Sequence, residues 1–198
     1  MDKSLYVSFS FNLVETKTFV IFCKLKLLLK NLALPPMKNF RIELKWGVIF
    51  FLSGLLWMVL EKSLGWHDSL IAQHATYTLA YAPIAIFIYV LALKDKKKNT
   101  YAGKMSFVQG LVSGLIITVV VVLLTPLSQY ITHELVSPSY FPNIIAYSVQ
   151  QGRLTLSEAE AYFTLKNYIT QSILFAAFMG GLTTAGVMFF LRTKAVPQ

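Results

Sequence analysis

Six side chains flanking the apolar runs of this sequence could bind a cation or relay a proton: Glu61, His67, Asp68, His74, His133 and Glu134. Carboxylate and imidazole are common zinc ligands, and imidazole changes charge near neutral pH. Their spacing matches no ligand signature of the His-Glu-x-x-His kind. The chain has 3 histidines in all, so the sequence by itself assigns no metal and no cofactor. No serine stands in a nucleophile-elbow setting, so no catalytic residue is named. The expectation is an outer polar cluster of Glu61, His67, His74, His133 and Glu134. It depends on whether the fold brings these residues to one side of a membrane.

Composition points to lipid as the solvent. Apolar residues make up 56% and charged residues 14%, where a soluble domain carries roughly 25% charged. The mean hydropathy is positive. The net charge of +9 sits in short clusters beside apolar runs. That pattern fits juxtamembrane anchoring to anionic headgroups and argues against nucleic acid as a partner. The single cysteine, Cys23, cannot form an internal disulfide. Phe22 before it is too large for a lipoprotein attachment site.

Four runs are long enough to matter: 46–64, 75–93, 107–124 and 169–191. About 20 residues of helix cross a ~30 Å hydrocarbon core. Backbone groups in lipid must pair internally, so the runs are predicted helices. The fold class is all-α, an integral membrane four-helix bundle. Trp46 and Trp66 lie at the two ends of the first run, where tryptophan favours headgroup level. Pro83 falls inside the second run and predicts a kink. Gln109 and Gln171 read as interhelical or headgroup hydrogen-bonders.

Lysine and arginine set the orientation. Lys38, Arg41 and Lys45 precede the first run, Lys94 to Lys98 and Lys104 follow the second, and Arg192 and Lys194 follow the fourth. The other side carries Lys62, Arg153 and Lys166. Both termini are therefore expected in the cytoplasm, and the lysine run reads as a solvated topology signal.

The second outer segment, 125–168, is too long to lack structure. Pro126 is expected to bend or end the third helix. Residues 143–151 read as a short amphipathic helix stopped by Gly152. Thr155 and Glu158 form a capping box that opens the next helix. Nothing obvious breaks that helix before the end of the fourth run, so it is expected to extend well outside the membrane. The arm 1–36 is too charged to span and lacks a signal peptide's order. It reads as a basic interfacial helix or as a segment before an alternative start at Met37, with 37–198 as one transmembrane domain.

From Met37 onward the chain resembles a known family. The resemblance rests on Ile42-Glu43-Leu44-Lys45-Trp46-Gly47, Leu60-Glu61-Lys62, Gly65-Trp66-His67-Asp68 and Ile71-Ala72-Gln73-His74-Ala75. It continues in Tyr101-Ala102-Gly103-Lys104-Met105, Gln109-Gly110, Pro126-Leu127-Ser128-Gln129-Tyr130-Ile131 and Glu158-Ala159-Glu160-Ala161-Tyr162-Phe163. These stretches are similar to the family called domain of unknown function 4199. The resemblance implies a small four-helix bacterial membrane protein and supplies no activity, substrate or site.

Small residues recur at helix-packing spacing: Gly110 with Gly114, and Gly181 with Ala177 and Ala185. In lipid, close backbone approach supplies much of the packing energy. The motif fits contacts within one chain or a homo-oligomer seam. Two function classes remain. One is a non-enzymatic inner-membrane component that meets the bilayer and a membrane-protein partner or a second copy. The other is a small transporter or channel using Glu61 and the outer histidines.

Glu61 discriminates between them. A charged acid at a helix centre costs roughly 2.5–3.5 kcal/mol on insertion scales, less near the edge. Either its carboxylate reaches the headgroups, or it turns inward to a histidine. Lys62 points about 100° away around the helix and is a poor partner. His74 and His133 are expected at similar depth, with His67 further out.

Overall fold

The computed structural model describes residues 40–193. The arm 1–36, the alternative start at Met37 and Cys23 lie outside the described residues. All regular structure in the described residues is helical. In chain order it comprises α1 (Arg41–Ser63), α2 (Ile71–Tyr77), a 3-10 turn (Thr78–Tyr81), α3 (Ala82–Asn99), α4 (Phe107–Tyr130), a π-helical turn (Ile131–Val136), α5 (Tyr140–Gln150), α6 (Leu156–Tyr162) and α7 (Leu165–Leu191).

Four helical stretches are long and apolar enough to cross a membrane: Arg41–Ser63, Ile71–Asn99, Phe107–Val136 and Leu165–Leu191. Their outward faces are apolar, with Leu123 at 73%, Phe178 at 70% and Phe190 at 83% exposure. Water would penalise such faces and lipid does not. The fold is a helical membrane bundle, as its composition predicts.

Helix α4 is the hub and packs chiefly against α7 and α1. It starts at Ser106, whose side chain accepts from the Gln109 amide, while the Gln109 side chain caps the Ser106 amide in return. Gln109 is thus part of a capping box rather than an interhelical bonder. The close approaches are made by glycines. A Cβ on Gly110 would lie 2.1 Å from Met188 Sδ, and one on Gly114 2.2 Å from Thr184 Cγ2. On α1, Gly47 meets Val120 in the same way. On α7 the tight glycine is Gly180, against Thr118 and Tyr89. Gly181, one residue on, has only Leu115 at 3.9 Å. The core between them holds Tyr89, Ala92, Leu93, Ile117, Val121 and Met188.

Several boundaries differ from the sequence expectation. The first span begins five residues earlier than 46, at Arg41. Pro83 stands in the first turn of α3, directly after the 3-10 turn that interrupts α-helical geometry within the second span. Pro126 does not end α4, which continues to Tyr130 and into the π turn. The short outer helix begins at Tyr140 and ends at Gln150, and Gly152 follows at φ +64°.

The long helix expected from residue 156 to 191 is two helices. Its Thr155 and Glu158 capping box does form. Phe163 and Thr164 then leave helical geometry, and Thr164 accepts from the Asn167 amide to start α7. The Asn167 side chain donates back to the carbonyls of Ala161 and Tyr162. One residue pair therefore closes α6 and opens α7.

Candidate functional site

The turn after α1 determines which residues meet. Gly65 adopts φ +80°, a backbone region open to glycine at no steric cost. The Trp66 amide donates to Glu61 O, and the Leu70 amide to Gly65 O. The chain thus folds back over the end of α1. His67 is brought under Glu61 instead of lying further out, and α2 follows with His74 on the same side.

Glu61 is the centre of the cluster and is fully buried. Its Oε1 accepts from Trp57 Nε1 at 2.5 Å, one turn back along α1. Its Oε2 lies 3.1 Å from His67 Nε2 and 3.3 Å from His74 Nδ1. The ligand atoms of Glu61, His67 and His74 all lie within 4.8 Å of one another. His67 is 1% exposed. His74 is less enclosed and borders an open cavity.

Tyr140, the first residue of α5, roofs the cluster. Its ring stands edge-on to both imidazoles, with centroids 5.3 Å from His67 and 5.1 Å from His74. Its hydroxyl pairs with that of Tyr168 at 3.0 Å. Burial pushes the Tyr140 phenol well above its ordinary range, so it stays neutral.

His133 belongs to the next layer. It stacks on Phe141 at 4.4 Å and hydrogen-bonds Gln129 through Nε2 at 3.0 Å. Gln129 in turn donates to Ser172 on α7. His133, expected at the depth of His74, packs instead against Tyr140 and Phe141 of α5 from the π turn and does not join Glu61. Glu134, on the same turn, is exposed and apart from the buried cluster.

A second polar knot holds the turn in place. Lys62 donates to Asp68 Oδ2 at 2.5 Å, while Ser139 and Asn143 donate to Asp68 Oδ1. Asn143 also donates to the His67 carbonyl at 3.0 Å. The hydrogen bond from Lys62 holds the Asp68 carboxyl below the usual carboxylate range. Lys62 is thereby taken up and does not neutralise Glu61.

Beside the cluster lies an open cavity of about 900 Å³ whose wall includes Ile71, His74, Tyr140, Arg153, Tyr168 and Phe175. Its wall is mostly apolar and aromatic. Arg153 lies over the Tyr147 ring at 5.6 Å.

The opposite end of the bundle carries a buried ion pair that sequence reading missed. Lys96 Nζ lies 2.7 Å from Glu43 Oε1, and Ser113 donates to the same oxygen at 2.7 Å. Lys96 is 7% exposed, so the lysine run is not wholly solvated. Asp95, next in sequence, takes Lys45 and the Trp46 indole N–H, which ties Trp46 to α3.

A family model described as protein of unknown function (DUF4199) matches residues 45–193. No curated protein and no solved structure matches the chain.

Proposed function

The chain belongs to the DUF4199 family of unknown function, and from that premise we propose a non-enzymatic component of the bacterial inner membrane that works by binding. The ligand is an anionic amphiphile, held on the periplasmic side in the cavity between α2, α5 and α7. The observation that carries this is the cavity itself. At about 900 Å³ it falls within the ~300–1,000 Å³ of small-molecule sites. Its wall runs through Leu174 and Phe175, which are exposed on the membrane-spanning α7. An apolar tail can therefore enter from the lipid, while the Arg153 cation meets the headgroup.

The lysines and arginines at the ends of α1, α3 and α7 support an orientation with both termini in the cytoplasm. A second copy or another membrane protein is the further partner of this reading. The test is binding of a fluorescent anionic lysophospholipid to the protein in nanodiscs. Ala75→Trp, at the wall, should abolish binding, and Arg153→Gln should reduce it while leaving a zwitterionic analogue unchanged. Equal binding by all three proteins overturns the reading.

Transport is a second reading, favoured by one observation. Two hydroxyl pairs, the half-buried Ser53 with Tyr81 and the buried Tyr89 with Thr118, lie along the helices that run from Glu61 to Glu43. Proton flux in proteoliposomes that is lost in Tyr89→Phe would support it over simple binding.

A further inference from the structure

We propose that Glu61, His67 and His74 form a binding site for a divalent transition-metal ion of the zinc type. The proposal goes beyond amphiphile binding and concerns a different set of atoms, joined to the cavity at His74.

His67 hydrogen-bonds Glu61, and the same three groups, whose ligand atoms lie within 4.8 Å of one another, can close on a shared ion. Ligands 2.0–2.1 Å from a tetrahedral zinc stand about 3.3 Å from one another. Glu61 Oε2 stands 3.1 Å from His67 Nε2 and 3.3 Å from His74 Nδ1. Two imidazoles thus converge on one carboxylate oxygen at the separation of tetrahedral edges. His74 Nδ1 makes this approach without hydrogen-bond alignment and has no other hydrogen-bond partner. An ion between the three lies off the line from Nδ1 to Oε2, so the imidazole that binds it need not point at the carboxylate oxygen.

Charge points the same way. A buried carboxylate is costly unless a cation compensates it. The adjacent Lys62 is held by Asp68, and Trp57 supplies only a neutral donor. Two neutral imidazoles and one carboxylate carry one negative charge, which a dication more than balances. Two nitrogens and one oxygen suit zinc and its borderline neighbours better than magnesium or calcium, which favour all-oxygen sets.

The surroundings resemble the shell that metal sites use. The Trp57 N–H on Oε1 fixes the carboxylate and leaves Oε2 for the ion. Tyr140 closes the site from above, and the Asp68 knot holds the backbone that carries His67. His74 lines the open cavity, so an ion can reach the site through it. The site joins the end of α1, its reversing turn and α2, so a bound ion would clamp the three together.

The experiment uses the full chain without a histidine tag, in nanodiscs, stripped with a chelator and titrated with Zn²⁺ by calorimetry. One equivalent should bind and raise the thermal midpoint. Co²⁺ should give the intense visible absorption of a four-coordinate ion. Glu61→Gln, His67→Gln and His74→Ala should each weaken zinc at least as much as the ~10–100-fold lost when a mere orienting partner is removed. His133→Ala should leave stoichiometry and affinity unchanged. Each variant's midpoint without metal is recorded first. His74→Ala, the least enclosed position, keeps the test alive if Glu61→Gln does not fold.

No uptake by the wild type overturns the site. So does uptake that survives all three substitutions, or an equal loss in His133→Ala. Amphiphile binding measured in the chelator-stripped protein reports on the cavity alone, so either reading can fail without the other.

Discussion

Gly114→Ala adds one methyl group at a close approach in the α4–α7 seam. The new Cβ would stand 2.2 Å from Thr184 Cγ2 and 2.5 Å from its Oγ1. Ordinary contact begins near 3.4 Å, so the helices must separate by about 1 Å, or Thr184 must change rotamer, in an interior packed at crystal-like density. Thr184 is fully buried and its hydroxyl donates to Gly180 O at 2.7 Å, so a rotamer change also breaks that bond. Overpacking of this kind costs about 1–3 kcal/mol. Lipid offers no compensating hydrophobic gain when the helices part. The assay is reversible unfolding in detergent, with Gly186→Ala as the control. No atom lies within 4 Å of a Cβ at Gly186, so helix propensity alone acts there, worth up to about 1 kcal/mol in the stabilising direction. Truncating Thr184 to Ala in the Gly114→Ala background should recover part of the loss, with a coupling energy of about 0.5 kcal/mol or more. A Gly114→Ala protein as stable as Gly186→Ala would refute the seam.

Three further outcomes are expected. Lys96→Met should destabilise by about 3–5 kcal/mol, because it strands the buried Glu43 carboxylate, and adding Glu43→Gln should restore most of it; chemical denaturation measures both. The Asp68 carboxyl is held low by Lys62, so its contribution is full above the unfolded value of about 4 and is lost as pH falls through the lower folded value. Both partners are partly exposed, so the loss is about 0.5 kcal/mol; acid unfolding of the wild type should show it and that of Asp68→Asn should not. Reporter fusions after Lys98 and after Gly152 should read cytoplasm and periplasm respectively, and the same compartment for both would sink the topology.

What the sequence made legible depended on how local its cause was. Span number, the capping box at Thr155 and the glycine pair on α4 are each written in neighbouring residues. The outer polar cluster was legible only in part. The shared depth of Glu61 and His74 follows from their places at the ends of their runs. The position of His67 depends on one φ angle, at Gly65, that no spacing rule encodes. His133 was aimed elsewhere by a π turn, an irregularity without a sequence signature here. The break at Phe163 and Thr164 did have a signal, because Thr164 with Asn167 offers a cap to each side. The continuous apolar pattern hid it. The Glu43–Lys96 pair was hidden for a different reason: in a run of lysines, nothing local says which one turns inward.

The arrangement at Glu61 is the claim on which the rest depends, and its two side-chain replacements test it most directly. Gln keeps an oxygen for the Trp57 N–H and the shape of the carboxylate, while Leu keeps neither polar atom. In the buried setting each orphaned group costs about 1–3 kcal/mol. Glu61→Leu should therefore be less stable than Glu61→Gln by about 2 kcal/mol or more in the same detergent unfolding assay. If wild type, Gln and Leu unfold alike, Glu61 faces headgroups, and the buried cluster with its histidines does not exist.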